Sequence, residues 1–368
     1  MRIEVLEKRE NFIKIAKLTL QNSSFFSTMN FSLEQEYYVN KYLNFIATAN
    51  LPKKTFQILV NEYSSSLNWK KKCFQYVYVR FSVSRYFRKI LSHDTVLFPS
   101  IFSKYLVLGG NHRLRLFSNE LNSTFVILKF NERNNYIIND IKLRNKFQLH
   151  YAPKILNFGS DWIEEEYYEG TPLNRLGDNV IINSTLQKIM LNHDKLLIFE
   201  SVESINKEDY LFKVKKEINL IVNDKRNQSR NGLLVLVNKT FDLLCSSIFL
   251  DEIDVSWTHG DFHQANILVK SDSFRVIDWE ASERRFYLYD LFILISGLRT
   301  GISIEEGVKK FKIDYVKFIN KGLIDSNTIN LLLMEELRFN INETFSANFY
   351  ESGSNTNNLC KSILSFLD

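Results

Sequence analysis

The sequence predicts an α+β chain whose strands and helices are segregated along its length. Three observations predict this. Apolar residues at helical spacing dominate residues 1–97 and again 171–368. Between them, residues 98–170 hold short strand-like runs divided by turn residues, and one further hairpin is embedded in the second helical region. The predicted organisation is a helical N-terminal extension over 1–97, a small, mostly antiparallel β lobe over 98–170 and a larger helical lobe over 171–368.

In the first region Glu7 to Gln21, Leu33 to Thr48 and Leu67 to Leu91 read as helices. The last carries Lys70, Lys71, Lys72, Arg80, Arg85, Arg88 and Lys89 with no acid between Glu62 and Asp94, interleaved with Trp69, Phe74, Tyr76, Tyr78, Phe81, Tyr86 and Phe87. Aromatics at helical spacing favour packing against a core. Mixed with cations they also suit peripheral contact with a membrane or an acidic glycan through residues 67–91. The net charge of +5 is modest for a nucleic-acid binder, and none is expected as a partner.

In the β lobe, Tyr105 to Leu108, Leu114 to Phe117 and Thr124 to Phe130 read as strands, with Gly109-Gly110-Asn111-His112 as the first turn. Glycines between two strands let backbone amides approach phosphate closely, although an ordinary hairpin turn uses them as well. A helix from Tyr136 to Gln148 follows, with Ile137, Ile141, Leu143 and Phe147 at apolar positions and Asp140 as its one acid. Further helices are expected from Asn183 to Phe199, Lys207 to Val222, Asn231 to Phe249, and after Ser303, including Thr328 to Ser346. Glu335, Glu336 and Glu343 then fall on the solvated face of an amphipathic helix.

The densest chemistry lies in Trp257-Thr258-His259-Gly260-Asp261-Phe262-His263-Gln264-Ala265-Asn266 and in Val276-Ile277-Asp278-Trp279-Glu280. Ile267 to Val269 and Phe274 to Ile277 are apolar runs around a polar turn, which is a β-hairpin. Antiparallel pairing brings the start of one strand beside the end of the other, so Asp261, Asn266 and Asp278 are predicted to converge at one edge. Asn266 and Asp278 offer the oxygen donors that Mg2+ takes alongside phosphate and water. Asp261, nearer the start of the loop, suits the proton of an attacking hydroxyl. Taken singly, each is also an ordinary turn residue.

These motifs resemble the signature of the aminoglycoside phosphotransferase and choline kinase group, which is similar in fold to protein kinases. The resemblance implies a bilobal protein kinase-like fold, with residues 98–170 as nucleotide-binding lobe and hinge and 171–368 as the lobe of the catalytic loop and acceptor. It implies ATP, or in second place GTP, with Mg2+ as cofactors and transfer of the γ-phosphate to a hydroxyl of a sugar, aminosugar, amino alcohol or glycan. Val126-Ile127-Leu128-Lys129 is similar to the strand whose lysine pairs with nucleotide phosphates. The hinge is placed at Glu166, Tyr167 and Tyr168, with nucleotide contacts from Gly109, Gly110 and Lys129. His259 is expected to brace the catalytic loop and His263 to line its surface, and the resemblance implies, as the alternative to a solvated face, that Glu335, Glu336 and Glu343 meet a cationic acceptor. Asp290, in Tyr289-Asp290-Leu291, is expected to be a helix cap. One departure stands out: the family usually has Glu on the helix after Lys129, and Tyr136 to Gln148 has none.

Two alternatives remain at this level. A non-catalytic scaffold of the same fold is supported by the missing Glu. A protein kinase is disfavoured because Trp279-Glu280 replaces Phe-Gly and no Ala-Pro-Glu follows. Cys73, Cys245 and Cys360 are odd in number and scattered, arguing against a disulfide framework or a zinc site. Neither His259 nor His263 has further ligands at zinc spacing, and His93 and His112 read as surface residues. The charged start and the lack of an apolar run of ~18 residues fit a cytoplasmic chain.

Overall fold

The structure is a computed structural model that describes residues 11–27, 34–48, 53–63, 68–84, 86–110, 112–118, 122–130, 135–147, 149–191, 202–224, 231–319, 323–346 and 353–368. Its contacts divide the chain into two compact units, Met1–Asn179 with Ile267–Glu280, and Val180–Asn266 with Ala281–Asp368. Together they make a mixed α+β chain. No helix among the described residues is long and apolar enough to cross a membrane.

The first unit is built on an antiparallel sheet of β1 (Glu34–Asn40), β2 (Phe45–Thr48), β3 (Asp94–Pro99), β4 (Tyr105–Gly109), β5 (Arg113–Ser118), β6 (Ser123–Leu128), β7 (Ile155–Phe158) and β8 (Trp162–Glu166). Their order is β3-β1-β2-β4-β5-β6-β8-β7. Here the helix expected over Leu33 to Thr48 is corrected to the hairpin β1–β2. Tyr37, Tyr38, Val39, Phe45, Ile46 and Thr48 are aromatic or β-branched, which favours strand. The turn between them is held by Asn40, whose Oδ1 accepts from the amides of Tyr42 (3.1 Å) and Leu43 (2.9 Å), and Asn44 takes a left-handed φ of 47°. Asn favours both roles.

Residues 34–48 and 94–99 are therefore part of the sheet rather than of a helical extension. Side-chain alternation gives that sheet two apolar faces. Tyr37, Val39, Ile46, Val107, Leu114, Leu116 and Ile127 pack with Phe12, Ala16 and Leu20 of α1 (Phe12–Asn22). Phe45, Ala47, Leu106, Leu108 and Phe117 pack with Ile58, Leu59 and Tyr63 of α2 (Lys53–Tyr63) and Val79 of α3 (Trp69–Val83). On β5 the second face continues through Arg113 and Arg115, four places and two places before Phe117, and this placement matters below.

The long helix expected from Leu67 to Leu91 is broken. Helix α3 ends at Val83, with Ser84 extended, and a single turn follows at Arg88–Leu91. It packs against the core as expected, through Val79 with Tyr78 and Val83 beside it, although Val79 and Ser82 are the only buried residues of α3. The helix predicted after Lys129 forms as α4 (Asn135–Phe147). A small sheet, β13-β12-β9, completes the unit, from β9 (Thr171–Pro172), β12 (Ile267–Lys270) and β13 (Ser273–Val276). Ile267 pairs with Val276, so the chain enters and leaves this hairpin at the same end.

The second unit is mainly helical: α5 (Asn179–Leu191), α6 (Lys207–Val222), α7 (Asn231–Ser246), α8 (Tyr289–Ser296), α9 (Ile304–Ile319), α10 (Ser326–Ser346) and α11 (Gly353–Leu367). The part of the expected helix beyond Leu191, like Glu7 to Glu10 of the first, lies outside the described residues. Three strands, β10 (Glu203–Asn206), β11 (Glu252–Thr258) and β14 (Glu283–Phe286), form an antiparallel sheet. Every residue of α8 is buried.

Glu335 and Glu336 do not lie on a solvated face, since both are buried in α10. Glu335 meets Arg338 at 3.3 Å and Glu336 meets Arg299 at 2.8 Å. Arg338 is buried too, and it also reaches Glu217 (2.5 Å) and Glu283. Buried charges persist when paired and hydrogen-bonded in this way. Acids at helical spacing revealed nothing of the arginines that would neutralise them.

Candidate active site

Strand β11 ends at Thr258 and delivers His259, Gly260 and Asp261 into a loop. Gly260 has φ of +86°, where a Cβ would lie 2.3 Å from the Ala281 carbonyl oxygen, so only glycine fits. The loop backbone is clamped from α8. Asp290 accepts from the amides of His259 (2.6 Å) and Gly260 (2.9 Å) through its two oxygens. Asp290 is thus a buried loop brace rather than the expected helix cap, the cap position being Leu288. Burial pushes its carboxyl above the usual value, against the pull of His259 and the two amide bonds.

Asn266 fixes the other side of the loop. Its amide nitrogen donates to the Asp261 carbonyl (2.9 Å) and to Asp261 Oδ2 (3.2 Å). With the nitrogen so engaged, the oxygen is the atom the amide presents elsewhere, as a metal donor requires. His259 is buried and its Nδ1 accepts from the Asp261 amide at 3.3 Å. His263 Nε2 lies 3.4 Å from Asp261 Oδ2, and Arg299 Nε lies 3.3 Å from Oδ1. Burial alone would raise the Asp261 pKa. The His263 hydrogen bond, Arg299 and the two histidines outweigh it and bring the pKa down to about 2.

Arg299 was not legible in the sequence. It sits in the turn Leu298–Thr300, between Gly297 (φ 71°) and Gly301 (φ 85°). Its guanidinium lies 4.0 Å from the centre of the Phe339 ring and donates to Glu336 (2.8 Å) and the Tyr289 hydroxyl (3.3 Å). Held on three sides, it is a fixed positive charge beside Asp261.

The residues assigned to nucleotide lie in the first unit and are differently engaged. The Gly109 amide donates to the Asn44 carbonyl (2.8 Å) and the Gly110 amide to the Arg113 carbonyl (2.9 Å), so the turn is a closed hairpin turn. Lys129 is buried and its Nζ donates to the Gly110 carbonyl at 2.5 Å. His112, expected at the surface, is buried, its carbonyl accepting from the Lys129 amide (2.9 Å). Asp140, the acid of the following helix, is held by Arg144 at 2.5 Å, which also reaches Glu165 at 2.9 Å. In the segment expected to be the hinge, the Glu166 amide donates to the Lys154 carbonyl (2.9 Å) and the Tyr167 amide to the Asn122 carbonyl (3.3 Å). The Tyr168 hydroxyl meets the Ser273 hydroxyl at 2.9 Å. A cavity of ≈ 540 Å³ in this unit is lined by Arg144, His150, Lys154, Ile155, Glu166 and Arg275.

Asp278 follows β13 with a left-handed φ of 69°. Strain in a non-glycine residue concentrates at functional positions. Two arginines of β5 converge on its Oδ1: Arg113 at 2.9 Å, and Arg115. Arg113 also reaches Glu280 at 2.9 Å. Both arginines are buried, on the face they share with Phe117. Sequence reasoning missed them, although two cations at a spacing of two in an apolar strand were a usable signal.

Asp261, His259 and Asn266 are thus brought together in the second unit, while Asp278, Gly110 and Lys129 belong to the first. Among the described residues no group of three or more His, Cys, Asp or Glu side chains could hold a metal ion. Asn266 in the second unit and Asp278 in the first each carry an oxygen donor of the kind Mg2+ takes, and Mg2+ commonly needs only one or two protein ligands beside phosphate and water.

Residues 243–311, which contain the loop of His259 to Asn266, Asp278 and Asp290, match the phosphotransferase enzyme family, APH. No curated protein matches the chain. Among solved structures, an ethanolamine kinase from Plasmodium vivax is similar at 16% identity, covering 86% of this chain and 94% of its own, with a TM-score of 0.43. The choline kinase LicA from Streptococcus pneumoniae is 15% identical, over 72% and 96%, with a TM-score of 0.47. An aminoglycoside phosphotransferase from Streptomyces rimosus is 11% identical, over 64% and 92%, with a TM-score of 0.44.

Proposed function

We propose that this chain transfers the γ-phosphoryl group of ATP to a hydroxyl of a small polar acceptor, such as a sugar, aminosugar, amino alcohol or glycan end. The observation that carries this reading is the state of Asp261, an ionised carboxylate between Arg299 and His263 on a loop clamped by Asp290 and Asn266. Such a group accepts a hydrogen bond from the acceptor hydroxyl and fixes its direction. With a pKa of about 2 it is a weak base, so it orients the hydroxyl first and takes the proton only as the new bond forms. Arg299 is a positioning residue, keeping the carboxylate charged and in place.

Asn266 and Asp278 are the donors we assign to Mg2+, which when bound neutralises charge on the nucleotide's phosphate oxygens. Gly109, Gly110 and Lys129 are the nucleotide contacts we assign, and Arg113 and Arg115, paired with Asp278, are further cations that we assign to the phosphates. Guanidinium groups suit that task, since their fork of donors matches phosphate oxygens. The reading is tested by an ATP-consumption screen against sugars, amino alcohols and aminoglycosides. Turnover with at least one acceptor, abolished in Asp261→Ala, is expected.

A second reading, a scaffold that turns over no nucleotide, is favoured by the closure of Arg113 and Arg115 onto Asp278. On that reading ATP with magnesium leaves the melting temperature unchanged.

A further inference from the structure

Helix α3 and the turn after it present an apolar surface to solvent. Of their residues, Trp69 is 69% exposed, Phe74 71%, Tyr86 83% and Ile90 76%. Val77, Phe81 and Phe87 are exposed as well. The arrangement inverts the usual helix. Val79 and Ser82 face the core, with Gln75, Tyr78 and Val83 half-buried beside them. Trp69, Cys73, Val77 and Phe81 recur every four residues along the outer ridge, with Phe74 beside it. Phe81 extends the ridge past the helix end by an edge-on contact with Phe87, ring centres 4.7 Å apart. An apolar patch of this kind on a chain with ample polar residues marks a contact surface.

Its charge says what the contact is. Lys70, Lys71, Lys72, Arg80 and Lys89 are exposed around the ridge, and no Asp or Glu occurs between Glu62 and Asp94. The cations lie beside the rings: Lys70 Nζ is 5.7 Å from the centre of the Trp69 ring, and Arg80 donates to the Tyr76 hydroxyl at 3.1 Å. Aromatic bodies with cationic heads at their margins suit the boundary between acyl chains and headgroups. The absence of acids selects for anionic headgroups.

We propose that residues 69–90 form a docking surface for an anionic lipid bilayer, with Trp69, Phe74, Phe81 and Tyr86 entering the headgroup boundary and Lys70, Lys71 and Lys72 meeting lipid phosphates. Burial of a helix face ~5–10 Å into that boundary matches a single aromatic ridge of this kind. The surface holds the chain at a membrane without crossing it. It stands on the exposure and charge of this segment alone and is independent of the phosphotransferase reading.

The test is co-sedimentation of the full chain with phosphatidylcholine vesicles, with and without phosphatidylglycerol. The chain is expected to pellet with the anionic vesicles, to bind phosphatidylcholine alone weakly, and to be released by salt. Each cation near an anionic surface contributes about five-fold, so the combined variant Lys70→Glu, Lys71→Glu, Lys72→Glu should bind on the order of a hundred-fold more weakly. Trp69→Ala with Phe74→Ala and Phe81→Ala should also lose binding at an unchanged melting temperature, because these side chains are exposed. Trp69 fluorescence should shift to the blue on anionic vesicles. Three outcomes overturn the proposal: no binding to anionic vesicles; binding unchanged in both variants; or a surface taken up elsewhere, as polyuridylic acid competing with vesicles or a dimer dissolved by Phe74→Ala.

Discussion

Gly260 is the position at which the loop proposed as catalytic can be tested without touching a charged group. Replacing it with alanine asks two things of the backbone. A residue with a Cβ at φ +86° costs about 1–2 kcal/mol. The new Cβ would also lie 2.3 Å from the Ala281 carbonyl oxygen and 2.6 Å from Arg285 Nη1. The first neighbour is backbone and cannot rotate away, so overpacking adds about 1–3 kcal/mol. Gly301 supplies the control. Its φ is 85°, yet a Cβ there meets nothing within 4 Å. Gly301→Ala therefore carries only the conformational cost, and the gain from a stiffer unfolded chain cancels between the two variants. Urea unfolding should place Gly260→Ala about 1–3 kcal/mol below Gly301→Ala, and kcat should fall in the first alone as Asp261 moves. Equal stabilities within ~0.5 kcal/mol would refute the geometry on which the loop argument rests.

Other expectations follow from the charged groups. If Arg113 and Arg115 serve phosphate, Arg115→Ala should weaken ATP binding about ten- to a hundred-fold, the value of a charge-assisted hydrogen bond, and leave adenosine binding unchanged; calorimetry that shows stronger magnesium binding with unaltered ATP affinity would mean they only neutralise Asp278. Asp261, with a folded pKa of about 2 against 3.8 unfolded, contributes about 2 kcal/mol of stability that is complete above pH ~4 and lost as the pH falls toward 2. The acid limb of unfolding free energy against pH should flatten by that amount in Asp261→Asn. Asp290 has the opposite sign: its raised pKa means the folded state takes up a proton first, so its contribution grows as the pH falls from that value to 3.8. Asp290→Asn should remove this rise, and an unchanged slope would contradict its burial as an acid.

The loop of His259 to Asn266 was readable because its residues are local in sequence. His259, Gly260, Asp261 and Asn266 lie within eight residues, and the hairpin after them is fixed by a turn and two apolar runs. Helices α6 and α10 were similarly clear from periodicity. What failed depended on partners distant in sequence. Leu33 to Thr48 looks helical until β3 and β4 supply the strands it pairs with. Arg299, Arg113 and Arg115 are lone cations until the fold brings Asp261 and Asp278 to them. Glu335 and Glu336 resembled a wet helix face because Arg299, and the Glu217 and Glu283 that share Arg338, lie far away in sequence, and only the Glu335–Arg338 pair falls at a helical spacing. Exposure of the α3 aromatics was hidden for a converse reason, since the spacing that marks a core-facing ridge is the same when the ridge faces water.

The central claim is that Asp261 directs a hydroxyl to the γ-phosphate. Its most direct test is transfer of γ-labelled phosphate to acceptor, measured for the native chain and for Asp261→Asn, with ATP binding followed by melting temperature. Saturation at ~100 times the dissociation constant should stabilise both proteins by about 2.7 kcal/mol. The native chain should yield a labelled phosphate ester and the variant about 10²–10⁴-fold less. Label transferred by Asp261→Asn at the native rate would contradict the account.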